Sequence, residues 1–482
     1  MSHTRAQKAV LIDFSAEGYG LYPFGLYALR AYALRRVPDI TIEIVAIRAT
    51  DDVDLIITDI AQRSPDVIGF TCFVWSENQV HAASRTLRGM FPDAFIVLGG
   101  PQIEIGDPLL SASMTSGVVD AAVCGEGEQP FAAILQALVS RRPVLLEDIP
   151  GVSIVKGDTV KWSAPRSYGK AFEESTNPVI DDEELLQVAR RTGVFVYETA
   201  RGCPYQCTFC DQGVKTFRSR PMSQIVADLQ RIIAQRPRKI LFLDSTFNVS
   251  PARTRQLLTP IIESGIDVEI EGEVKPERCD LETIQLMRAA GFKNIEVGLQ
   301  SVKAGTLQFI KRNNDFRRIE QSITWLLEAG IEVHVDTIIG LPGETLADWL
   351  ETINYCFSLG NVVIFSNTLK ILPNSELKHQ VVGLGFKHLR EKNCAVIKTD
   401  AMTLDDINMA KLHQKMIKHY WNRAEDKAAL RQIIMKHYRG RLTLFTRDAM
   451  AALSAGHPEA DLKTTKFWMT RHRNDDTVAT FR

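Results

Sequence analysis

The sequence predicts an α/β protein: a doubly wound, Rossmann-like domain, then a partial (β/α)6 barrel, then a mostly helical region. Three observations predict it. Short apolar runs alternate with amphipathic helical stretches up to residue 145. Six further strand–helix units lie between 192 and 377. From 378 to 482 apolar residues recur mainly at helical spacing. Strands alternating with helices imply parallel sheets covered on both faces. The boundaries follow as 1–145, a hairpin and linker over 146–191, a barrel over 192–377 and a helical region over 378–482.

In the first domain, residues 8–14 read as a buried strand, 24–36 as a helix of small and apolar residues, and 41–47 as an alternating strand. Residues 51–63 are helical and stop at Ser64-Pro65. Residues 66–72 and 94–98 are apolar strands, 120–123 a short fifth strand and 129–139 its helix. The turns after these strands are Tyr22-Pro23-Phe24-Gly25, the segment 71–76, Gly99-Gly100-Pro101 and Gly125-Glu126-Gly127-Glu128. Ligands of such sheets bind beyond the carboxyl ends of the strands, near the switch point. Glycine there lets a bulky ligand approach the backbone. Residues 153–162 read as a hairpin with a Gly-Asp turn, followed by a polar linker containing Pro165 and Pro178. Barrel strands are expected at 194–199, 239–243, 267–272, 294–298, 331–337 and 362–365, with chemistry at their carboxyl ends. The helical pattern at 405–438 reads either as a small domain over the barrel mouth or as packing against the barrel. The tail after Lys463 is polar.

Composition is ordinary for a globular chain, at 45% hydrophobic and 24% charged residues. A formal net charge of −1 gives no reason to expect a nucleic-acid or anionic-membrane partner. The opening MSHTRAQKAVLIDF does not read as a signal peptide, and no apolar run is long enough to span a bilayer. The expected location is the cytoplasm.

The chemistry concentrates at Cys203, Cys207 and Cys210, spaced C-x3-C-x2-C with an aromatic residue before the third cysteine. Three thiolates this close can hold three irons of a [4Fe-4S] cluster and leave the fourth open to a small molecule. Structural zinc normally takes four protein ligands, often as two close pairs. Here Cys72, Cys124, Cys279, Cys356 and Cys394 are scattered. A disulfide framework does not suit a chain this long and this poor in cysteine.

The loop resembles that of the radical S-adenosylmethionine (radical SAM) superfamily. The resemblance implies that S-adenosylmethionine chelates the open iron and is cleaved reductively to methionine and a 5′-deoxyadenosyl radical, with Phe209 near the adenine. Asp244, Ser245 and Thr246 match the family's motif for the methionine amino group, although the usual Gly-Gly-Glu is absent. Glu271, Glu273 and Lys275 alternate at the third strand, and Lys275 is expected at the methionine carboxylate or on the surface. The segment from Glu296 to Ser301 looks like the family's Glu-x-Gly-x-Gln-Ser. It implies Glu296 and Ser301 at the ribose or methionine part and Gln300 toward the active site. Asp336 to Thr345 matches the adenine-side turn, with Gly340 in it and Glu344 and Thr345 opening the next helix. Leu369 to Ser375 matches the end of the sixth strand.

The turns of the first domain resemble the cobalamin-binding domain of the B12-dependent branch of that superfamily. The resemblance implies that Tyr22, Pro23, Gly25, Thr71, Trp75, Gly99, Gly100, Gly125, Glu126, Gly127 and Glu128 line the cofactor. The D-x-H-x-x-G motif of methionine-synthase-like domains, whose histidine ligates cobalt from below, is missing. The domain holds only His3 and His81, neither in that motif. Cobalamin is therefore expected base-off. Trp75 would either exclude water beneath the corrin or simply pack.

The family reading implies a cobalamin-dependent C-methyltransferase for an unactivated carbon. One S-adenosylmethionine would methylate cobalamin, and a second would generate the radical that prepares the substrate for that methyl group. The expected partners are a small-molecule or peptide substrate and an electron donor such as flavodoxin or ferredoxin. The alternatives are a non-methylating radical cyclisation or rearrangement, and a cluster- and corrinoid-binding redox or sensing protein without turnover.

Overall fold

The structure, a computed structural model, describes residues 7–15, 22–48, 53–140, 145–164, 172, 175–212, 216–390 and 393–454. The expectations for 51–52 and for the tail after Lys463 lie outside them.

The first sheet contains β1 (Lys8–Ser15), β2 (Thr41–Arg48), β3 (Val67–Thr71), β4 (Phe95–Gly99) and β5 (Ala121–Val123), all parallel and ordered β2-β1-β3-β4-β5. Alternate residues of β1 enter different cores. Val10, Ile12 and Phe14 pack on one face, and Ala9 and Leu11 on the other. That two-sided burial explains the unbroken apolar runs. The strand order reverses between β1 and β3, so the crevice opens beyond Phe14 and Thr71. The helices are α1 (Phe24–Leu34), α2 (Val53–Arg63), α3 (Glu77–Met90), α4 (Pro108–Thr115) and α5 (Glu128–Val139).

The hairpin expected in the connector belongs to this sheet. Its strands β6 (Val152–Lys156) and β7 (Thr159–Lys161) add antiparallel to β5. The fifth strand is three residues long and would otherwise leave an open apolar edge, which the hairpin covers. Helices α6 (Pro178–Asp181) and α7 (Glu183–Thr192) lead into the barrel.

The barrel starts with β8 (Val194–Tyr197). A two-residue pair, β9 (Ala200–Arg201) and β10 (Arg218–Ser219), then brackets the cysteine loop. Strands β11 (Lys239–Phe242) and β12 (Glu269–Glu271) complete one sheet, and β13 (Asn294–Gln300), β14 (Glu332–Ile339) and β15 (Val363–Thr368) form the other. Bridges Ile270–Phe292 and Glu273–Glu296 join the two sheets across β12 and β13. Along β13 the period of two turns Ile295, Val297 and Leu299 into the core, and Glu296, Gly298 and Gln300 to the lumen.

A half-barrel has two open edges, and both are sealed by side chains. On β8 the Tyr22 hydroxyl accepts from Val196 N–H at 2.8 Å and donates to the Val194 carbonyl at 3.3 Å. On β15 the Trp421 indole donates to the Val362 carbonyl, and Asn422 takes both backbone groups of Ile364. Gln414 donates to the Ser366 carbonyl.

That second edge shows where the C-terminal helices sit. After α8 (Glu376–Gln380) and a hairpin of β16 (Lys387–Leu389) and β17 (Ala395–Lys398), helix α9 (Leu404–Met416) runs into a π-turn at Ile417–Trp421. Helices α10 (Lys427–His437) and α11 (Leu442–Ser454) follow. The group packs beside β15 and against the helix at Leu346–Ser358, not over the lumen. Among the described residues no helix is long and apolar enough to cross a membrane.

Candidate cofactor sites

The cysteine loop is held from below by Asp244 at the end of β11. Its carboxylate accepts Thr199 N–H at 2.7 Å, Ala200 N–H at 3.1 Å and the Thr199 hydroxyl. Asp244 is 2% exposed, and burial pushes its carboxyl up to about 6 against those hydrogen bonds. It therefore organises the approach to the loop and does not face the lumen. The middle of the loop is pinned by Thr208, whose N–H donates to the Ile310 carbonyl and whose carbonyl accepts Leu377 N–H.

The three cysteines are partly exposed and none is in a disulfide. Gln212 N–H donates to Cys210 Sγ at 3.4 Å, the Thr246 hydroxyl lies 3.7 Å from Cys203 Sγ, and Arg312 Nη1 lies 3.7 Å from Cys207 Sγ. Among the described residues no three metal-ligating side chains converge as they would on one ion. A cluster needs no such convergence, because each thiolate binds a different iron. Reduced thiols with donors aimed at their sulfurs fit that group.

Above the loop, the lumen is acidic. Strand register sets Glu273 beside Glu296, and Asp336 beside Gly298. Burial first, then the hydrogen-bonded Glu296 carboxyl, raises Asp336 well above the usual range. Burial and the Glu296 charge raise Glu273 to about 7. Glu273 and Glu296 nevertheless face open space within the lumen, so water screens part of their repulsion. Gln300 stands at a register shift in β13 with a left-handed φ of 71°. Near it, the open space at Gly298 is filled by the ends of two side chains. A Cβ there would fall 2.5 Å from the Gln300 amide nitrogen and 3.2 Å from Arg312 Nη2. Arg312 also donates to the Gly298 carbonyl and to Asn314.

Several expected site residues are engaged elsewhere. Ser301 is fully buried, and its hydroxyl donates to Glu344. Glu344 does not cap the next helix. Thr345 and Asp348 form that capping box, while burial raises the Glu344 carboxyl to about 8. Lys275 pairs with Glu277 at 2.6 Å. Thr246 donates to the Ser245 carbonyl, Phe209 packs against the barrel core, and Gly340 turns the chain against Val396.

In the first domain, Trp75 sits at the switch point. Its ring stacks on Phe73 at 4.6 Å, and its indole N–H donates to the Phe14 carbonyl at 3.1 Å. Gly100 has φ +102°, and a Cβ there would lie 2.7 Å from the Cys72 carbonyl and 2.9 Å from Thr71 Oγ1. Only glycine lets the fourth-strand turn lie flat on the third. Gly99 ends β4, and Pro23 and Gly25 open α1, with free space at Gly25. His81 is the single histidine among the described residues of this domain, buried with Nδ1 3.0 Å from Ser113 Oγ. These features fit a corrin that takes no histidine from this domain.

The Gly125–Glu128 turn has a different occupation. Glu128 pairs with Arg201 at 2.7 Å, Glu126 with Arg201 at 3.5 Å, and Glu126 also with Arg218. Burial opposes ionisation of Glu128, but the Arg201 guanidinium more than offsets it and holds the carboxyl below the usual range. Arg201 also binds Glu198 and lies over the Phe172 ring. Arg201 and Arg218 are the two ends of the neck that carries the cysteine loop. The turn expected at the corrin is thus clamped to the loop expected at the cluster. On the other side Arg390 grips Glu77 at 2.8 Å and Asp107 at 2.6 Å, and Asn374 donates to the Pro101 carbonyl.

Two family models match the chain. A B12 binding domain covers residues 15–135, and the radical SAM superfamily covers 197–356. An uncharacterized methyltransferase of Pyrococcus horikoshii is 24% identical over 315 residues, covering 64% of this chain and 68% of that protein. The cobalamin-dependent radical SAM methyltransferase TokK of Streptomyces tokunonensis is 23% identical over 335 residues, 65% of this chain and 48% of its own. Among solved structures, the radical S-adenosylmethionine methyltransferase TsrM from Kitasatospora setae aligns with TM-score 0.61 and 19% identity, over 78% of this chain and 76% of TsrM. The cobalamin-dependent S-adenosylmethionine radical enzyme OxsB aligns with TM-score 0.65 and 14% identity, over 93% of this chain and 71% of OxsB. At these identities the structures show the fold. Residues 197–356 thus match the radical SAM superfamily, and residues 15–135, ahead of them, match a B12 binding domain. The fold class expected from the sequence is the observed one, although the hairpin expected in the linker belongs to the first sheet.

Proposed function

We propose that the chain is a cobalamin-dependent radical SAM enzyme that methylates an unactivated carbon of a small molecule or peptide. The observation that carries the reading is the clamp of Arg201 and Arg218 on Glu126 and Glu128. It sets the cysteine loop and the corrin crevice against each other. When bound, the cluster with S-adenosylmethionine supplies a carbon-centred radical, and cobalamin a transferable methyl group.

The protein's part is binding and orientation. Cys203, Cys207 and Cys210 hold the cluster. Arg312, beside Cys207, opposes the carboxylate of S-adenosylmethionine, a role for which Lys275 is less suited because Glu277 already neutralises it. Glu273, Glu296 and Asp336 offer acceptors to ribose hydroxyls and a negative field to the sulfonium. Gln300, held left-handed, projects beside them. Trp75, fixed by Phe14 and Phe73, blocks water at the switch point beneath the corrin. The reading places the enzyme in the reducing cytoplasm, with flavodoxin or ferredoxin as donor.

The test is made on anaerobically reconstituted protein loaded with cobalamin and given S-adenosylmethionine and a strong reductant, without organic substrate. A burst of S-adenosylhomocysteine equal to the cobalamin content is expected. Formation of 5′-deoxyadenosine with no S-adenosylhomocysteine would replace methylation by radical rearrangement.

A further inference from the structure

Beside the cysteine loop the surface opens into a groove of about 530 Å³. Cys207 is part of its wall, so the groove reaches one of the cluster ligands directly. Five cationic side chains line it: Lys275, Arg278, Lys311, Arg312 and Arg318. Only two carboxylates, Glu277 and Asp315, share the lining. The whole chain carries a net charge of −1, so this excess of positive charge is local.

The cations form two layers. Lys275 and Arg312 lie inside, next to Cys207. Arg278, Lys311 and Arg318 stand on the exposed rim. Arg278 makes no ion pair among the described residues. Its guanidinium donates only to the Tyr205 hydroxyl, at 3.3 Å. Arg318 is 70% exposed, at 3.5 Å from Asp315. Lys311 pairs with Glu376 at 2.7 Å, so the rim carries both signs with a positive excess. Exposed, spread charges of this kind bind small anions weakly. They attract an oppositely charged protein surface from a distance and orient it.

A cluster that cleaves S-adenosylmethionine must first gain an electron. The five other cysteines of the chain are buried and scattered, so among the described residues there is no second iron–sulfur relay. We propose that the basic groove beside Cys207 is the docking surface for an acidic carrier protein with a low-potential one-electron centre, which reduces the cluster there. One electron leaves the reduced carrier and enters the cluster, taking it from the 2+ to the 1+ state, and no bond changes. The inference rests on the cluster assignment but not on methylation.

The experiment follows cluster bleaching near ~400 nm in the reconstituted full chain, by anaerobic stopped flow, with fully reduced flavodoxin as the acidic donor. With wild-type protein the rate should fall about tenfold as salt rises toward about 0.3 M, because screening removes the attraction. Arg278→Glu/Arg318→Glu should be slower by about tenfold at low salt and lose the salt dependence. Dithionite, a small reductant, should reduce both proteins equally. The neutral pair Arg278→Gln/Arg318→Gln should show a smaller loss in the same direction, and serves if the reversed pair does not fold.

Reduction of the variants by flavodoxin at the wild-type rate would overturn the proposal. So would slowing by inorganic phosphate at constant ionic strength, which would make the groove a small-anion site. A protein with no absorbance near ~400 nm before any donor is added would instead sink the cluster assignment.

Discussion

Replacing Arg312 by Gln should lower the reduction potential of the cluster by about 90 mV. The guanidinium lies 3.7 Å from Cys207 Sγ. At an effective dielectric constant of about 20, unit charges that far apart interact by roughly 4 to 5 kcal/mol. The added electron spreads over the cluster and the site is partly open. About 2 kcal/mol is then a fair share, and for one electron that is about 90 mV. Arg312→Lys keeps the charge but loses the fork that reaches Gly298 and Asn314, so it should recover part of the shift. The assay is a spectroelectrochemical titration without S-adenosylmethionine, after iron, sulfide and cobalamin contents are matched. A potential for Arg312→Gln within about 20 mV of wild type would refute the electrostatic argument. An equal shift in Arg312→Lys would assign it to altered geometry.

Changing Cys203, Cys207 and Cys210 together to Ala should abolish absorbance near ~400 nm after reconstitution, and a retained full cluster would reject the ligand set. Trp75→Ala should admit water beneath the corrin and slow S-adenosylhomocysteine formation. Because the truncation itself can cost a few kcal/mol, rates are compared only at equal cobalamin content and thermal midpoint. In both proteins cob(II)alamin should show no axial nitrogen splitting by electron paramagnetic resonance. Without S-adenosylmethionine, stability should fall as pH rises. Glu273 holds its proton up to about 7 when folded, against an ordinary value of 4.5, so between these values the folded chain binds more protons than the unfolded one. Thermal midpoints measured from pH 5 to pH 7 should decline slightly, since water in the lumen screens part of the shift, and Glu273→Gln should flatten the slope.

The parts of the fold visible in the sequence are those written by local periodicity. Two-sided burial made the strands of the first sheet continuous apolar runs, and the alternation along β13 separated lumen from core. The cysteine loop is legible because its three cysteines are close in sequence. What escaped depends on distant partners. Arg201 and Glu128 stand 73 residues apart, and nothing local distinguishes a glutamate that binds a cofactor from one that binds an arginine. Tyr22 follows a strand, which points to the cofactor, yet its hydroxyl is engaged on β8. Arg312 has no motif of its own, and its place is set by contacts with Cys207, Gly298 and Asn314 that no local pattern announces. The hairpin looked like a connector because pairing with β5 leaves no mark in its own sequence.

These long-range contacts share one physical origin. A six-stranded half-barrel leaves unpaired backbone groups on its first and last strands, and such edges must be covered. The last edge is covered by Trp421, Asn422 and Gln414, which gives the C-terminal helices a structural task. The first edge is covered by Tyr22, from the domain that precedes the barrel. The strand that Tyr22 covers is the one that runs on into the neck of the cysteine loop, where Arg201 and Arg218 take up Glu126 and Glu128. Closing the barrel edge therefore also fixes the first domain to the loop, through two kinds of bond at two points. A displacement of the corrin crevice relative to the cysteines would have to expose backbone of β8 and leave the buried Glu128 carboxylate without a cation. Both are costly. Alignment of the two candidate sites thus follows from the need to finish an incomplete barrel.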